Sequence, residues 1–215
     1  MKLLPRESLV KTSAVDEADW VYRPLVGSIA RMRFRMVLTL LGNRRYGRLL
    51  EIGYGSGVLM PELSQHCDEL HGIDPHTMPE AVARSLETHG VRAVLKTSEA
   101  EALPYADKFF DAVLAVSALE FVHDLEAVCR EVNRVLKPDG RFIFVTPGTS
   151  PVLDLGLKLL TGNDAKKDFG NRREIVLPVT RKHFAFEETL TAPWLVGNVL
   201  PLYSAVRGRP LSESG

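Results

Sequence analysis

Short apolar runs alternate with helix-like segments through the middle of this 215-residue sequence. Each run is apolar at consecutive positions, as in strands that are buried on both faces, and the segments between runs carry helical spacing. Strands of this kind are typical of a parallel sheet covered by helices on two sides. We therefore predict an α/β fold with strands at 48–53, 70–74, 91–96, 110–117 and 141–146.

Helix-start and helix-stop residues flank the segments between these strands. Pro24 and Gly42 suit the beginning and end of a first helix, and Asp124 suits the N-cap of a later one. Thr77 and Glu80 have the spacing of a capping box. The predicted helices cover 25–41, the stretch after the first strand through about 68, 77–90 and 125–136.

The last third of the sequence has a different organisation. A short helix is predicted over 151–161, and the polar stretch 162–174 is typical of a loop. Two β-compatible segments near 184–192 and 202–208 predict a hairpin that closes one edge of the sheet. Lys137-Pro138-Asp139-Gly140 has the composition of a turn before the fifth strand.

Three glycines, Gly53, Gly55 and Gly57, directly follow the first predicted strand. Ligands of open α/β sheets bind at the carboxyl ends of the strands, where glycine permits positive φ and a close approach of the backbone to the ligand. The dinucleotide fingerprint G-x-G-x-x-G requires a glycine at the position of Val58. The loop therefore predicts a nucleotide-like cofactor and fits the dinucleotide pattern poorly.

Two carboxylates flank this loop in the sequence. Asp74 ends the second strand, 21 residues after Gly53, where a carboxylate can accept both hydroxyls of a ribose. That device is shared by nicotinamide and S-adenosylmethionine enzymes. Glu51 would repel a pyrophosphate and would attract the amino or sulfonium group of S-adenosylmethionine. Asp74 is therefore compatible with both a nicotinamide cofactor and S-adenosylmethionine, whereas Glu51 favours S-adenosylmethionine.

Four motifs occur in a characteristic order: E-x-G-x-G-x-G at 51–57, GID at 72–74, EAEALPYADKFFDAV at 99–113 and VNRVLKPDGRFIFV at 132–145. In this order they resemble the class I S-adenosylmethionine-dependent methyltransferases, in particular the small-molecule methyltransferase type 11 group. The resemblance covers roughly residues 45–148. It implies a Rossmann-like, doubly wound sheet of seven strands, mostly parallel with an antiparallel last strand.

The resemblance also implies a cofactor site. Asp74 would bind the ribose hydroxyls, Pro75 would pack on the adenine, and Ser117 would lie near the methionine end. Glu99 would accept a hydrogen bond from the adenine amino group, at a position where the family usually has aspartate, and the Ala100 N–H would donate to the ring. The predicted cofactor-binding residues are Glu51, Gly53, Tyr54, Gly55, Gly57, Asp74, Pro75, Glu99, Ala100 and Ser117.

The sequence does not single out one catalytic residue. A sulfonium methyl group is electrophilic without help from the protein, so a general base is needed only for a nucleophile that retains its proton. Glu120 and His123 follow the fourth strand and are candidate bases. Arg33 projects into the apolar stripe of the first helix, either as a snorkelling or ion-paired side chain or as a group that points into a ligand cleft.

Composition and short motifs disfavour several kinds of partner and location. Lys+Arg and Asp+Glu each total 27, which disfavours nucleic acid because phosphate binding usually needs a basic excess. The Ser-Ala-Leu-Glu sequence at 117–120 also differs from the (Asp/Asn/Ser)-Pro-Pro-aromatic motif of enzymes that methylate DNA bases. The two cysteines form no cluster, and no apolar stretch is long enough to span a membrane or act as a signal peptide. We expect no metal and a cytoplasmic protein.

We predict one methyltransferase domain with three parts: an arm and helix over 1–44, a cofactor-binding core over 45–148, and a substrate-cover segment with the hairpin over 149–215. The predicted activity is methyl transfer from S-adenosylmethionine to a small molecule. The apolar residues Val152, Leu153, Leu155 and Leu159 point to a hydrophobic acceptor. A catalytically silent S-adenosylmethionine-binding protein and an NAD(P)-dependent oxidoreductase are the alternatives.

Overall fold

The computed structural model describes residues 1–12, 18–148, 172–192 and 202–211. Its centre is a seven-stranded sheet with the strand order β3-β2-β1-β4-β5-β7-β6. The strands are β1 Tyr46–Ile52, β2 Cys67–Asp74, β3 Val94–Thr97, β4 Phe110–Val116, β5 Leu136–Pro147, β6 Phe184–Ala192 and β7 Tyr203–Pro210. The helices are α1 Pro24–Leu41, α2 Met60–Leu63, α3 Pro79–Glu87, α4 Leu125–Val135 and α5 Arg172–His183, with 3-10 turns at Arg6–Ser8 and Ala18–Tyr22.

The direction of the strands confirms the predicted fold class. Strand β1 pairs in parallel with β2 and β4, β2 pairs in parallel with β3, and β4 pairs in parallel with β5. Strand β7 is antiparallel to both of its neighbours, β5 and β6. The two predicted terminal strands therefore pair as expected, but β7 lies inside the sheet and β6 forms the edge.

The sheet separates two hydrophobic clusters, one on each face. Side chains of α1, such as Val37 and Leu40, pack with Leu49 of β1 on one face. Side chains of α4 pack with Leu50 and Phe142 on the other face. The amphipathic spacing of α4 predicted this burial, and its apolar positions Leu125, Val128, Cys129, Val132 and Val135 are all buried. The Asp124 carboxylate caps this helix by accepting the Ala127 N–H at 3.0 Å.

Several predicted local features were wrong. The capping box at Thr77 and Glu80 does not form, because Met78 is the N-cap and its N–H donates to Nδ1 of His76 at 3.1 Å. The helix predicted through residue 68 ends at Leu63, since β2 already begins at Cys67. Residues 137–140, which were predicted to form a turn, lie within β5. They fall where the pairing of β4 with β5 changes register, between Phe110 and Ala112.

The C-terminal part was predicted less well. Helix α5 begins within the stretch that was predicted to be a loop. The predicted helix at 151–161 and the apolar residues from Val152 to Leu159 lie outside the described residues. Within the described part of the chain, no helix is long and apolar enough to cross a membrane.

The N-terminal arm is packed against the core. Leu4 is fully buried, and its N–H donates to the Val58 carbonyl at 3.0 Å. The Ser8 hydroxyl and the His89 ring nitrogen lie 2.7 Å apart, close to the end of α3. The arm therefore lies beside the glycine loop after β1.

Candidate active site

The carboxyl ends of four neighbouring strands meet at one edge of the sheet. Gly53 follows β1, Asp74 ends β2, Glu99 follows β3 and Ser117 follows β4. Because these strands are parallel and adjacent, their following loops share this edge. A Cβ on Gly53 would lie only 2.7 Å from the Cβ of Ala118, so the loop after β4 packs directly on the glycine loop. The tertiary structure thus brings the predicted residues together.

The glycine loop has an unusual backbone conformation. Gly53, Gly55 and Gly57 have φ angles of +74°, +52° and +76°, a region that non-glycine residues rarely adopt. A Cβ on Gly55 would meet no atom within 4 Å. Gly55 is therefore required by backbone conformation alone, and the space next to it is open to a ligand.

Asp74 and His76 hold this loop in place. The two Asp74 carboxylate oxygens accept the Gly55 N–H at 2.9 Å and the His76 N–H at 3.2 Å. The His76 Nε2 lies 3.1 Å from the Gly55 carbonyl oxygen, and its ring contacts the edge of Tyr54 with centroids 4.9 Å apart. A carboxylate has about four lone-pair positions. Asp74 therefore orders the loop and keeps capacity for ligand hydroxyls.

His76 is a site residue that sequence reasoning missed. Its only sequence signal is its position two residues after Asp74, within the segment Asp74-Pro75-His76. Its ring links the loop after β1 to the end of β2, through Gly55 on one side and Tyr54 on the other. Such a link depends on the pairing of the two strands, which no local pattern encodes.

Glu51 is buried beneath the loop, with 4% of its surface exposed. Its Oε2 has no hydrogen-bond partner among the described residues. Burial raises the pKa of Glu51 to about 8, and the negative charge of Asp74 contributes in the same direction. The carboxyl group is therefore mostly protonated at neutral pH.

The segment after β3 forms the rim of the same site. The Ser98 N–H donates to the Asp74 carbonyl at 3.1 Å, which ties this segment to the end of β2. Pro75 and Glu99 are exposed, whereas Ala100 is buried. Pro75 is thus adjacent to Asp74 in the sequence, and Glu99 and Ala100 directly follow the residue that is bonded to it.

Ser117 occupies a strained position at the end of β4. Its φ angle is +54°, and its N–H donates to the Val145 carbonyl at 2.9 Å. Positive φ in a non-glycine residue is uncommon and often occurs at functional sites. The Ser117 hydroxyl is buried without a partner in the described part of the chain.

Several of the buried polar groups that lack partners in the described residues belong to the glycine loop or to the strand ends beside it. They include the Tyr54 hydroxyl, the Ser56 hydroxyl, the Ser117 hydroxyl and a Glu51 carboxylate oxygen. Buried polar atoms are nearly always hydrogen-bonded, so a group of them without protein partners indicates a bound ligand. The loop therefore fits a ligand that carries both hydroxyls and a positive charge.

A second group of polar side chains lies past the end of β4. Glu120 is 1% exposed, and neither of its carboxylate oxygens has a hydrogen-bond partner in another described residue. Burial raises the pKa of Glu120 to about 7, against opposing contributions from its own backbone amide, Arg33 and Arg173. Burial also raises the pKa of Tyr203, which interacts electrostatically with Arg33 and Glu120.

This second group distinguishes the two candidate bases. His123 is exposed, and its backbone N–H donates to Oε1 of Glu101 at 2.8 Å. Glu120 is the buried member of the pair, and Arg33 from α1 lies in the same group. Arg173 and Tyr203 were not predicted, because they belong to distant segments with no motif of their own.

A cleft of about 480 Å³ lies between the N-terminal arm and the glycine loop. The part of the arm before residue 13 and the part after residue 17 both contribute lining residues to this cleft. The lining residues are Arg6, Leu9, Val10, Lys11, Ala18, Asp19, Arg23 and Ser56. The arm thus forms one wall of the site.

Comparison with known families agrees with this geometry. The family model described as a methyltransferase domain matches residues 50–144, which include the glycine loop, Asp74 and the loop after β4. Residues 50–144 are a methyltransferase domain. The predicted family resemblance is thereby confirmed, and nothing found by comparison points to an oxidoreductase.

The methyltransferase domain has curated relatives of similar sequence. An uncharacterized methyltransferase, YcgJ, of Bacillus subtilis (strain 168) is 36% identical over 111 residues, which are 50% of this chain and 44% of the relative. A ubiquinone biosynthesis O-methyltransferase of Azorhizobium caulinodans is 34% identical over 100 residues, 46% of this chain and 40% of the relative. The chain thus spans about half or less of the length of these relatives.

Solved structures share the fold. The N-methyltransferase NodS from Bradyrhizobium japonicum WM9, crystallised with S-adenosyl-L-homocysteine, superposes with a TM-score of 0.63 at 17% identity. The alignment covers 93% of this chain and 94% of NodS. The methyltransferase domain therefore has the same overall sheet and helix arrangement as a protein that binds the demethylated cofactor.

Proposed function

We propose that this protein transfers a methyl group from S-adenosylmethionine to a small-molecule acceptor. The observation that carries the proposal is the set of buried polar atoms without partners around the glycine loop of a methyltransferase domain. When bound there, the cofactor supplies an electrophilic methyl group on a positively charged sulfur. Among the described residues, Glu51 would balance that charge and Asp74 would accept hydrogen bonds from the ribose hydroxyls.

The glycine loop and its carboxylates are suited to bind the cofactor. Glu51 would stabilise the cofactor's positive charge, because a buried carboxylate attracts a nearby cation strongly in a medium of low dielectric constant. Asp74 would accept the ribose hydroxyls with the lone pairs that Gly55 and His76 leave unused. A nicotinamide dinucleotide would instead bring its pyrophosphate near Glu51, where the two negative charges would repel.

The remaining predicted residues complete the binding surface in this proposal. Pro75, Glu99 and Ala100 lie on the rim beside Asp74 and would contact the adenine. The backbone of Gly53, Tyr54 and Gly57 would border the methionine and ribose. Ser117, in its strained conformation, would lie at the methionine end, beside the loop that carries Glu120. Because Ser117 and Glu120 follow the same strand, the methionine end of the cofactor would lie on the side of the second polar group.

A small-molecule acceptor suits the charge and the relatives. The chain has equal numbers of basic and acidic residues, whereas binding to nucleic acid usually needs a basic excess. The Azorhizobium relative is named for O-methylation in ubiquinone biosynthesis, which is chemistry on a small molecule. We also propose that the single domain comprises the arm and helix over 1–44, the core over 45–148 and a C-terminal segment that covers the acceptor. A cytoplasmic location stays a prediction.

Calorimetric titration tests the cofactor directly. We expect S-adenosylmethionine and S-adenosylhomocysteine to bind with dissociation constants in the micromolar range, and NAD to give no heat of binding. Micromolar binding of NAD without a response to S-adenosylhomocysteine would overturn the proposal. Transfer of a labelled methyl group into a small-molecule extract then separates an enzyme from a silent cofactor-binding protein, because only the enzyme labels a product.

A further inference from the structure

Four buried or partly buried polar side chains from distant segments influence one another electrostatically near the end of the sheet. They are Arg33 of α1, Glu120 after β4, Arg173 of α5 and Tyr203 of β7, and we call them the acceptor group. Their mutual electrostatic influence appears in the pKa values of Glu120 and Tyr203. They lie within the proposed methyltransferase site, so an inference about them rests on the proposed function.

The backbone places this group at the carboxyl ends of β4 and β5. Arg173 donates from Nη1 to the carbonyl of Gly148, which directly follows β5, at 3.2 Å. Tyr203 is paired across the sheet with Pro147, the last residue of β5. Glu120 lies three residues after Ser117, in the loop whose Ala118 packs on Gly53. Glu120, Arg173 and Tyr203 therefore belong to the edge of the sheet that also carries the glycine loop.

Glu120 has no evident structural role. Its carboxylate is buried, yet neither oxygen has a hydrogen-bond partner in another described residue. A buried polar group without a partner destabilises a protein, and a charged one does so more strongly. The Nε of Arg33 is likewise buried without a partner. A buried acceptor and a buried donor in one group indicate that a ligand with complementary polar atoms binds there.

We propose that Glu120 is the general base of the methyl transfer and that the acceptor is a small molecule with an acidic hydroxyl group, such as a phenol or an enol, bound between Glu120 and Arg33. The acceptor oxygen forms a bond to the methyl carbon while the methyl–sulfur bond breaks, and the electron pair of that bond stays on sulfur. The hydroxyl proton moves to a Glu120 oxygen. The products are the methyl ether, S-adenosylhomocysteine and protonated Glu120, which returns its proton to water.

Arg33 decides between a hydroxyl and an amine acceptor. Negative charge develops on the oxygen as its proton leaves, and the guanidinium charge of Arg33 stabilises it in this buried setting. The Arg33 Nε–H, which has no partner among the described residues, can donate to that oxygen. An amine would enter mainly as an ammonium ion at neutral pH, which could donate to Glu120 but has no lone pair to accept the Arg33 Nε–H. A hydroxyl group can do both, so the hydrogen-bonding capacity of Glu120 and Arg33 favours transfer to oxygen.

The protonation of Glu120 predicts the pH dependence. Its pKa of about 7 reflects burial, which raises it, and its own backbone amide, Arg33 and Arg173, which oppose the rise. Tyr203 is the remaining titratable group that interacts with it, and burial keeps that phenol protonated. Only the ionised form of Glu120 can accept a proton. The rate at low acceptor concentration should therefore rise with pH and level off above this pKa.

Replacement of Glu120 tests the proposal. Glu120→Gln keeps the size of the side chain and removes the base, and general bases contribute about 100- to 10,000-fold to rates. We expect kcat to fall at least about 100-fold, the rising limb of the pH profile to disappear, and the S-adenosylhomocysteine dissociation constant to change less than about threefold. Glu120→Asp retains a carboxylate, so it should restore part of the activity and the pH limb.

His123→Ala is the matched control, because His123 lies in the same loop and was an equal candidate from sequence, yet is exposed. We expect this variant to keep its activity. The assay uses the full chain with methyl-labelled S-adenosylmethionine and a small-molecule extract of the cells that make the protein, and mass spectrometry identifies the atom that receives the label. Label on oxygen and loss of activity only in Glu120→Gln would support the proposal.

Three results would overturn it. The first is label found mainly on nitrogen, carbon or sulfur, and the second is a Glu120→Gln variant that keeps both its rate and its pH limb. The third is a wild-type protein that binds S-adenosylhomocysteine but labels no product, which would also remove catalysis from the proposed function. A wild-type rate with label on nitrogen would leave the methyltransferase function intact. If Glu120→Gln lost cofactor binding, its loss of activity would not be informative, and Glu120→Asp would be the test. An active Glu120→Asp variant whose rate does not rise with pH would then overturn the proposal.

Discussion

Replacing Glu51 with glutamine tests the electrostatics of the cofactor loop. Glu51 is buried, one of its oxygens has no partner among the described residues, and burial raises its pKa to about 8. If the cofactor's positive charge interacts with the carboxylate, binding must remove the proton that Glu51 holds in the free protein. Proton release and cofactor affinity are then linked through this one group.

The size of the effect follows from the pKa. With a pKa of about 8, Glu51 is roughly 1% ionised at pH 6 and roughly 50% ionised at pH 8. The affinity for S-adenosylmethionine should therefore rise about 50-fold between these pH values, which corresponds to about 2.3 kcal/mol. At pH 7, binding should release about 0.9 proton, since roughly that fraction of Glu51 is protonated beforehand.

Titration calorimetry measures both quantities. The number of protons released follows from the binding enthalpy in two buffers that differ in ionisation enthalpy, and the affinity is measured at pH 6, 7 and 8. Glu51→Gln cannot release a proton, so we expect its weaker affinity to be independent of pH in this range. If wild-type protein released no proton, or if the variant kept the same pH dependence, Glu51 would not be the group that meets the cation.

Two further substitutions separate the site from the scaffold. Gly55→Val places a β-branched residue at a φ of +52°, where a left-handed conformation costs about 1–2 kcal/mol. Its side chain would enter open space beside the loop, so the variant should fold and lose S-adenosylhomocysteine binding in calorimetry; unchanged affinity would contradict the proposed loop. Asp124→Ala removes the cap bond to the Ala127 N–H and should lower the free energy of unfolding by about 1 kcal/mol in urea, with cofactor binding unchanged. A cap variant of full stability would refute that assignment.

Local patterns predicted most of the core. The apolar runs gave β1, β2, β4 and β5 to within a few residues at most ends, because strand burial on both faces is visible in consecutive apolar positions. The helical spacing and cap of α4 were correct for the same reason, since both depend on residues within one or two turns. The motif order then identified the family that comparison confirms.

The capping-box prediction failed because a neighbouring side chain is oriented by a distant loop. The capping box at Thr77 had the right spacing, but the His76 ring accepts the Met78 N–H instead. That ring is held in position by Gly55 and Tyr54 of another loop. A local pattern could not anticipate this outcome, because the orientation of the His76 ring depends on the pairing of β1 with β2.

The sequence by itself determined the cofactor loop, since three glycines after an apolar strand and a carboxylate on each side specify both a backbone conformation and a charge. It could not rank Glu120 against His123, two ionisable residues in one short segment. The tertiary structure distinguishes them, because it buries Glu120 within the electrostatic influence of Arg33 and leaves His123 exposed. Burial depends on α1, α5 and β7, which are remote in sequence. Desolvation is therefore a property of the assembled fold, and it sets which carboxyl group can take part in chemistry.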